Sequence, residues 1–293
     1  MTTATTTSRR IHAAFAEAGV TGRLHALDID SGAEIDAGAD EAVVTASVHK
    51  LCLLVALHQQ AAEGRLDLTE QIDCPPTGRT AGPTGLAAML DPVRMSLRDT
   101  AYLMTAVSDN TAADLLLHRI GLDAVNSATA GLGLTRTRAV HTFHDMLATI
   151  RDDAGPGRAR ALTDPQVVAR LTALDPARTN RSTPREMTRL LRAVWRDEAC
   201  PAEHGAAIRR LLGLQVWPHR LASGFPFDDV HVAGKTGSLP TVRNEVGVVE
   251  YPDGGRYAVA VFTRAASTAA TLPAADAVIG TTARIAVDAL RAT

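Results

Sequence analysis

Aromatic residues make up only 3% of the 293-residue chain. A core must therefore be built mostly from alanine, leucine and valine, and the 46% hydrophobic content is enough for that. No apolar run approaches the length of a membrane span, about 20 residues. Neither sign of charge forms a long block, and the formal net charge of −2 argues against a nucleic-acid or membrane-surface partner. The three cysteines, Cys52, Cys74 and Cys200, are odd in number and irregularly spaced. They argue for reduced, structural thiols and against a disulfide framework or a zinc site. The N-terminal residues lack the apolar segment and cleavage site of a secretory signal. A cytoplasmic location is therefore expected, or a secreted one if a leader has been removed.

Lysine is the scarcest charged residue. Lysine and arginine total 30, yet only Lys50 and Lys235 are lysines. Arginine stays protonated and cannot readily accept a proton, whereas a buried lysine can lose its proton near neutral pH and act as a base. A chain that otherwise uses arginine, and keeps lysine at two positions, points to places where an ammonium must titrate or turn freely. Lys50 closes Ser47-Val48-His49-Lys50, and Lys235 opens Lys235-Thr236-Gly237.

The apolar pattern predicts a helix over residues 9–18, a strand over residues 24–29, a turn at Asp30-Ser31-Gly32 and a return strand over residues 33–36. Residues 47–63 read as a helix stopped by Gly64. Ser96 reads as an N-cap opening a helix through Val107, and residues 111–120 as a further helix. Residues 135–183 have weak periodicity, and residues 184–195 are helical again. Residues 246–251 and 257–263 read as strands around a turn at residues 252–255, ahead of a terminal helix over residues 274–290. Strands at both ends with helices between them predict an α+β fold, a three-layer α/β/α sandwich. Its antiparallel sheet is drawn from both chain ends and flanked by helices, and an all-helical lobe joins it. The expected boundaries are residues 1–45 with 200–293 for the sheet lobe and 46–199 for the helical lobe. A site would lie between them.

Ser47 and Lys50, three apart at a helix start, share one face. A serine hydroxyl is a poor nucleophile until a base takes its proton, and a desolvated lysine can do so. The helix N-terminus adds positive potential near a nascent oxyanion. Alone, Ser-x-x-Lys is weak, since about one is expected by chance in a chain of this length. Ser108-Asp109-Asn110 sits between two helices and can direct Ser108 and Asn110 into a cleft, or can simply cap the following helix. Lys235-Thr236-Gly237 can present an edge strand to a substrate, or can be a strand end with a turn glycine.

Taken together and in this order, the three patterns resemble the set shared by class A β-lactamases and penicillin-binding proteins. The resemblance spans nearly the whole chain. It extends to Asp109-Asn110-Thr111-Ala112-Ala113-Asp114-Leu115-Leu116, to Ser182-Thr183-Pro184 with Met187, and to Arg243-Asn244-Glu245-Val246. It implies that Ser47 is the acylated nucleophile, with Lys50 as its base, and that Ser108 relays a proton to the leaving nitrogen. Asn110 and Thr236 would hold the substrate amide and carboxylate, and Lys235 would add positive potential and bind Ser108. The backbone N–H groups of Ser47 and Ser238 would form an oxyanion hole, and Arg243 would help bind a carboxylate. No cofactor is implied.

One departure bears on the fate of the acyl group. The family's loop glutamate, which activates the water that releases it, has no counterpart between Phe143 and Arg185. Counting forward from Thr135 places that position at His141, and counting back from Pro184 places it near Val167, so the loop is lengthened and rebuilt. His141, His144 and Asp145 form a polar cluster there. His141 is either a general base of suitable pKa or a loop residue without a catalytic role. A metal site at His141 and His144 lacks a third ligand.

The implied activity is that of a serine hydrolase acting through an acyl-serine at Ser47 on small-molecule β-lactam, amide or ester substrates, the chemistry of antibiotic resistance. An intracellular esterase or acyl-transferring enzyme of small-molecule metabolism is the alternative, and a binding homologue without turnover is another. The oligomeric state is not legible in the sequence.

Overall fold

A computed structural model describes residues 3–155 and 157–292. From the N-terminal side, α1 (Thr3–Glu17) leads into the hairpin of β1 (Val20–Asp28) and β2 (Glu34–Ala37). The short strand β3 (Val43–Val44) delivers a 3-10 turn, Ala46–His49, that runs directly into α2 (Lys50–Ala62). A hairpin of β4 (Gln71–Cys74) and β5 (Val93–Ser96) precedes α3 (Leu97–Ala106), α4 (Asn110–Ile120) and α5 (Leu122–Gly131). The weakly periodic segment holds α6 (Phe143–Ala154), α7 (Arg158–Ala161) and α8 (Pro165–Ala169). Then come β6 (Arg181–Ser182), α9 (Pro184–Trp195), α10 (Ala202–Gly213), β7 (His231–Leu239), β8 (Val242–Glu250), β9 (Arg256–Ala265) and α11 (Pro273–Arg291).

The main sheet is antiparallel, in the order β2-β1-β9-β8-β7, and so draws its strands from both chain ends as expected. Side chains alternate across a strand, which sorts β9 into two cores. Tyr257, Val259 and Val261 face the layer of α1 and α11, together with Ile11, Phe15 and Ile279. Ala258, Ala260 and Phe262 face the core that also contains α2, α4 and α9. With both faces buried, the sheet is the middle layer of an α/β/α sandwich. Among the described residues no helix is long and apolar enough to cross a membrane.

Side-chain caps account for where several helices begin. Ser96 accepts from Asp99 N, Asp109 from Ala112 N, Thr142 from Asp145 N and Thr183 from Glu186 N. The segment expected to be helical from Ser47 instead opens with the 3-10 turn, so that α2 starts at Lys50. Residues Lys50–His58 of α2 are all buried. A helix covered on every side belongs in a core, and each buried leucine there contributes roughly 1.5–3 kcal/mol. The cysteines are free and buried, and burial pushes the Cys52 thiol up to about 12. That removes it from thiolate chemistry at ordinary pH.

Candidate active site

Ser47 is half-buried at the 3-10 turn, and two supports hold that turn in place. On one side, Asn244 of β8 donates through Nδ2 to Val44 O at 2.9 Å. On the other, Thr45 donates through Oγ1 to Asn180 O at 2.9 Å, next to the β3–β6 pairing. Strand β7 then approaches so closely that a Cβ on Gly237 would lie 2.7 Å from Thr45 O and 3.1 Å from Val48 N. The glycine of Lys235-Thr236-Gly237 is thus required by the approach of an edge strand to the serine turn. Ala46 and Ser108 both hold positive φ, 50° and 60°. In non-glycine residues such strain persists only where the surroundings enforce it, and here it falls on Ser108 itself and on Ala46 beside Ser47.

Lys50 is 1% exposed. Its Nζ donates to Ser108 O at 2.6 Å, to Asn110 Oδ1 at 2.8 Å and to Ser108 Oγ at 3.4 Å. Ser47 is not among these acceptors. Burial pushes the Lys50 ammonium down to about 7, against the opposing charges of Asp109 and Asp114. Asp109 caps α4 through Ala112 N at 3.2 Å and also accepts from Leu86 N at 2.5 Å. Asp114 accepts from Phe143 N, from His144 N and from Thr80 Oγ1. Backbone N–H groups therefore occupy both carboxylates that face Lys50.

Lys235 is fully buried and donates to Thr236 O at 3.0 Å rather than to Ser108. Burial, and then the charge of Lys50, hold its ammonium well below the ordinary lysine range. Behind it, burial pushes Glu245 up to about 7. Glu245 accepts from Gln215 Nε2 and Leu221 N, and Gln215 Oε1 accepts from Thr236 N at 2.7 Å.

A cleft of about 820 Å³ joins these parts. Its lining includes Ser47, Ser108, Asn110, Thr236, Ser238 and Arg243, which the sequence had singled out. Lys50 and Lys235 lie beneath it. The sequence reading missed Trp217, His219, Arg220 and Asp276, which also line it. Arg220 donates to Gly237 O and Asn244 O, to Ser238 Oγ at 2.7 Å and to Asp276 Oδ1 at 2.7 Å. Arg243 donates to Leu239 O, Val242 O and Ala270 O, and lies 3.5 Å from Asp276. Trp217, His219 and Arg220 sit in the irregular stretch between α10 and β7, and Asp276 sits in the first turn of α11. The chain signal available was Arg220 and Asp276 as isolated charges.

His141 is not part of the cleft lining. Its Nδ1 donates to Thr142 O at 3.1 Å, which leaves Nε2 to accept from Thr179 Oγ1 at 2.9 Å. Both ring nitrogens thus tie the loop together. The residue that the loop places over Lys50 is Phe143, whose ring centroid lies 4.6 Å from Nζ and whose side chain is 1% exposed. Asp114 pins it there by accepting from the Phe143 and His144 N–H groups, each at 2.8 Å. Among the described residues no group of three or more histidine, cysteine or acidic side chains is placed to hold a metal.

A family model of the β-lactamase enzyme family matches residues 6–290. The β-lactamase regulatory protein BlaB of Streptomyces cacaoi is 34% identical over 303 residues, covering 97% of each chain. The crystal structure of a β-lactamase from Sphaerobacter thermophilus superposes with a TM-score of 0.78 at 26% identity, over 96% of this chain and 95% of that one. PBP-A superposes with a TM-score of 0.80 at 22% identity, over 99% and 97%, which is a likeness of fold. With the family pattern spanning the chain end to end and a relative alike along nearly its whole length, this protein belongs to the β-lactamase enzyme family.

Proposed function

We propose that the chain forms an acyl-serine at Ser47 from β-lactams or related amides and esters, and hydrolyses it slowly. Ser47 Oγ attacks the carbonyl carbon while Lys50, once neutral, takes the hydroxyl proton. The carbonyl electrons pass to oxygen, where the N–H groups of Ser47 and Ser238 would receive them. On collapse, the C–N bond breaks, and the proton reaches the leaving nitrogen through Ser108, which lies 3.4 Å from Lys50 Nζ. Thr236, Ser238 and the guanidiniums of Arg220 and Arg243 would hold a carboxylate on the donor.

The observation that carries slow release is Phe143 over Lys50. A phenyl ring cannot take a proton from water, and Asp109 and Asp114 are already engaged by backbone donors. A long-lived acyl-enzyme suits a protein that reports the presence of a β-lactam, and the relative from Streptomyces cacaoi bears the name of a regulatory protein. Intact mass followed over time after mixing with a penicillin tests this. The expected result is an adduct that persists far beyond its formation time and is absent in Ser47→Ala. Rapid product accumulation without a lasting adduct would overturn slow release, and an adduct retained in Ser47→Ala would overturn the nucleophile.

The pH dependence follows from the state of Lys50. Its conjugate base is the active form, so acylation is expected to rise with pH through a limb near 7. A flat rate between pH 5 and pH 9, read by stopped-flow acylation over about four pH units, would remove Lys50 as the base.

A further inference from the structure

We infer that Trp217, set against His219, selects acyl donors carrying an aromatic or extended planar group on the leaving-nitrogen half. The inference rests on the acyl-serine reading and adds the specificity of its cleft.

The placement of Trp217 follows from the two ends of its segment. At one end, Val216 N donates to Ala106 O at 3.1 Å, which straps the segment to the end of α3, two residues before Ser108. At the other, Arg220 is bonded to Gly237 O and Ser238 Oγ of β7. Trp217 therefore stands on the wall between Ser108, assigned to the leaving nitrogen, and the arginine assigned to the carboxylate. It lines the cleft and is half-buried, which leaves ring surface for a ligand. Its ring is braced edge-on by His219, with centroids 6.4 Å apart and planes at 90°. His219 in turn lies 3.9 Å from Asp276, which Arg220 also holds. Leu272 and Pro273 supply apolar lining to the same cleft. On the side of Asn110 the lining includes Pro83 and Thr84, with no aromatic ring among them, and Phe143 is buried and does not line the cleft. The aromatic surface of the cleft is thus confined to one side. When a β-lactam ring opens, the leaving nitrogen stays tethered to the acyl group, so the contact forms on binding and is retained in the adduct.

The test uses two cephalosporins with the same acyl side chain. One carries an arylvinyl group on the six-membered ring and the other a methyl group at the same position. Second-order rate constants for acylation of the full-length protein are read by intact mass. The wild type is expected to favour the arylvinyl compound, and Trp217→Ala to reduce that ratio about three- to tenfold, the worth of one aromatic contact. Trp217→Phe should keep most of the ratio, and the methyl compound supplies the reference rate for each protein. Labelling of Ser47 with a ratio unchanged in Trp217→Ala overturns this inference alone. Failure of both compounds to label Ser47 overturns the acyl-serine reading and this inference with it. Thermal unfolding of each variant separates lost folding from lost recognition, and Trp217→Leu, which keeps bulk but loses the aromatic face, carries the test with the same expected loss of ratio if the alanine variant does not fold.

Discussion

Lys50→Ala is expected to slow acylation of Ser47 by about 10²–10⁴-fold, the usual worth of a positioned general base. The lysine is buried, its pKa is pushed down to about 7, and it contacts Ser108 and Asn110. Lys50→Arg should be nearly as damaging, because a guanidinium keeps its charge and cannot take the proton. A merely structural role for the charge would predict rescue by arginine, so acylation kinetics of the two variants separate the readings. Loss of the ammonium also leaves Asn110 Oδ1 and Ser108 O without their buried donor, at about 1–3 kcal/mol each. Unfolding midpoints measured alongside distinguish that cost from the chemical one.

Phe143→Glu is expected to shorten the life of the acyl-enzyme by about 10²–10⁴-fold, since it places a carboxylate where the loop meets the lysine. The same carboxylate would stabilise the Lys50 ammonium, so the acylation limb near 7 should move to higher pH. Phe143→Gln has similar size and polarity without a base, and should leave the lifetime long. Time-resolved intact mass across pH reads both effects. A folded Phe143→Glu protein that acylates yet releases its adduct no faster than the wild type would show that the ring is not what limits water activation.

His141 and Phe143 mark where counting along a chain stops being informative. Counted forward from Thr135, the position of the family's glutamate falls on His141, and counted back from Pro184 it falls near Val167. The loop is rebuilt, however, and its register is set by Asp114 accepting from the N–H groups of Phe143 and His144. His141 is drawn aside by Thr142 and Thr179. These are tertiary hydrogen bonds between distant segments, and no local periodicity encodes them. Likewise Trp217 and Arg220 belong to an irregular segment, so their arrival in the cleft depends on Val216 and Arg220 binding elements far away in the chain.

The chain alone determined the elements whose cause is local or periodic. The apolar runs of β8 and β9, the caps at Ser96 and Asp109, and the apolar residues after Lys50 can be read residue by residue. Two lysines kept in a chain rich in arginine marked the positions where burial perturbs an ammonium. Only the tertiary structure decided how the three motifs meet. Gly237 lets β7 close on the serine turn, and Asn244 clamps that turn from β8. It also decided that a phenyl ring, rather than a histidine, covers the lysine. Spacing along a chain specifies which side chains share a face, but the partner opposite that face is chosen by packing and hydrogen bonding between segments far apart in sequence.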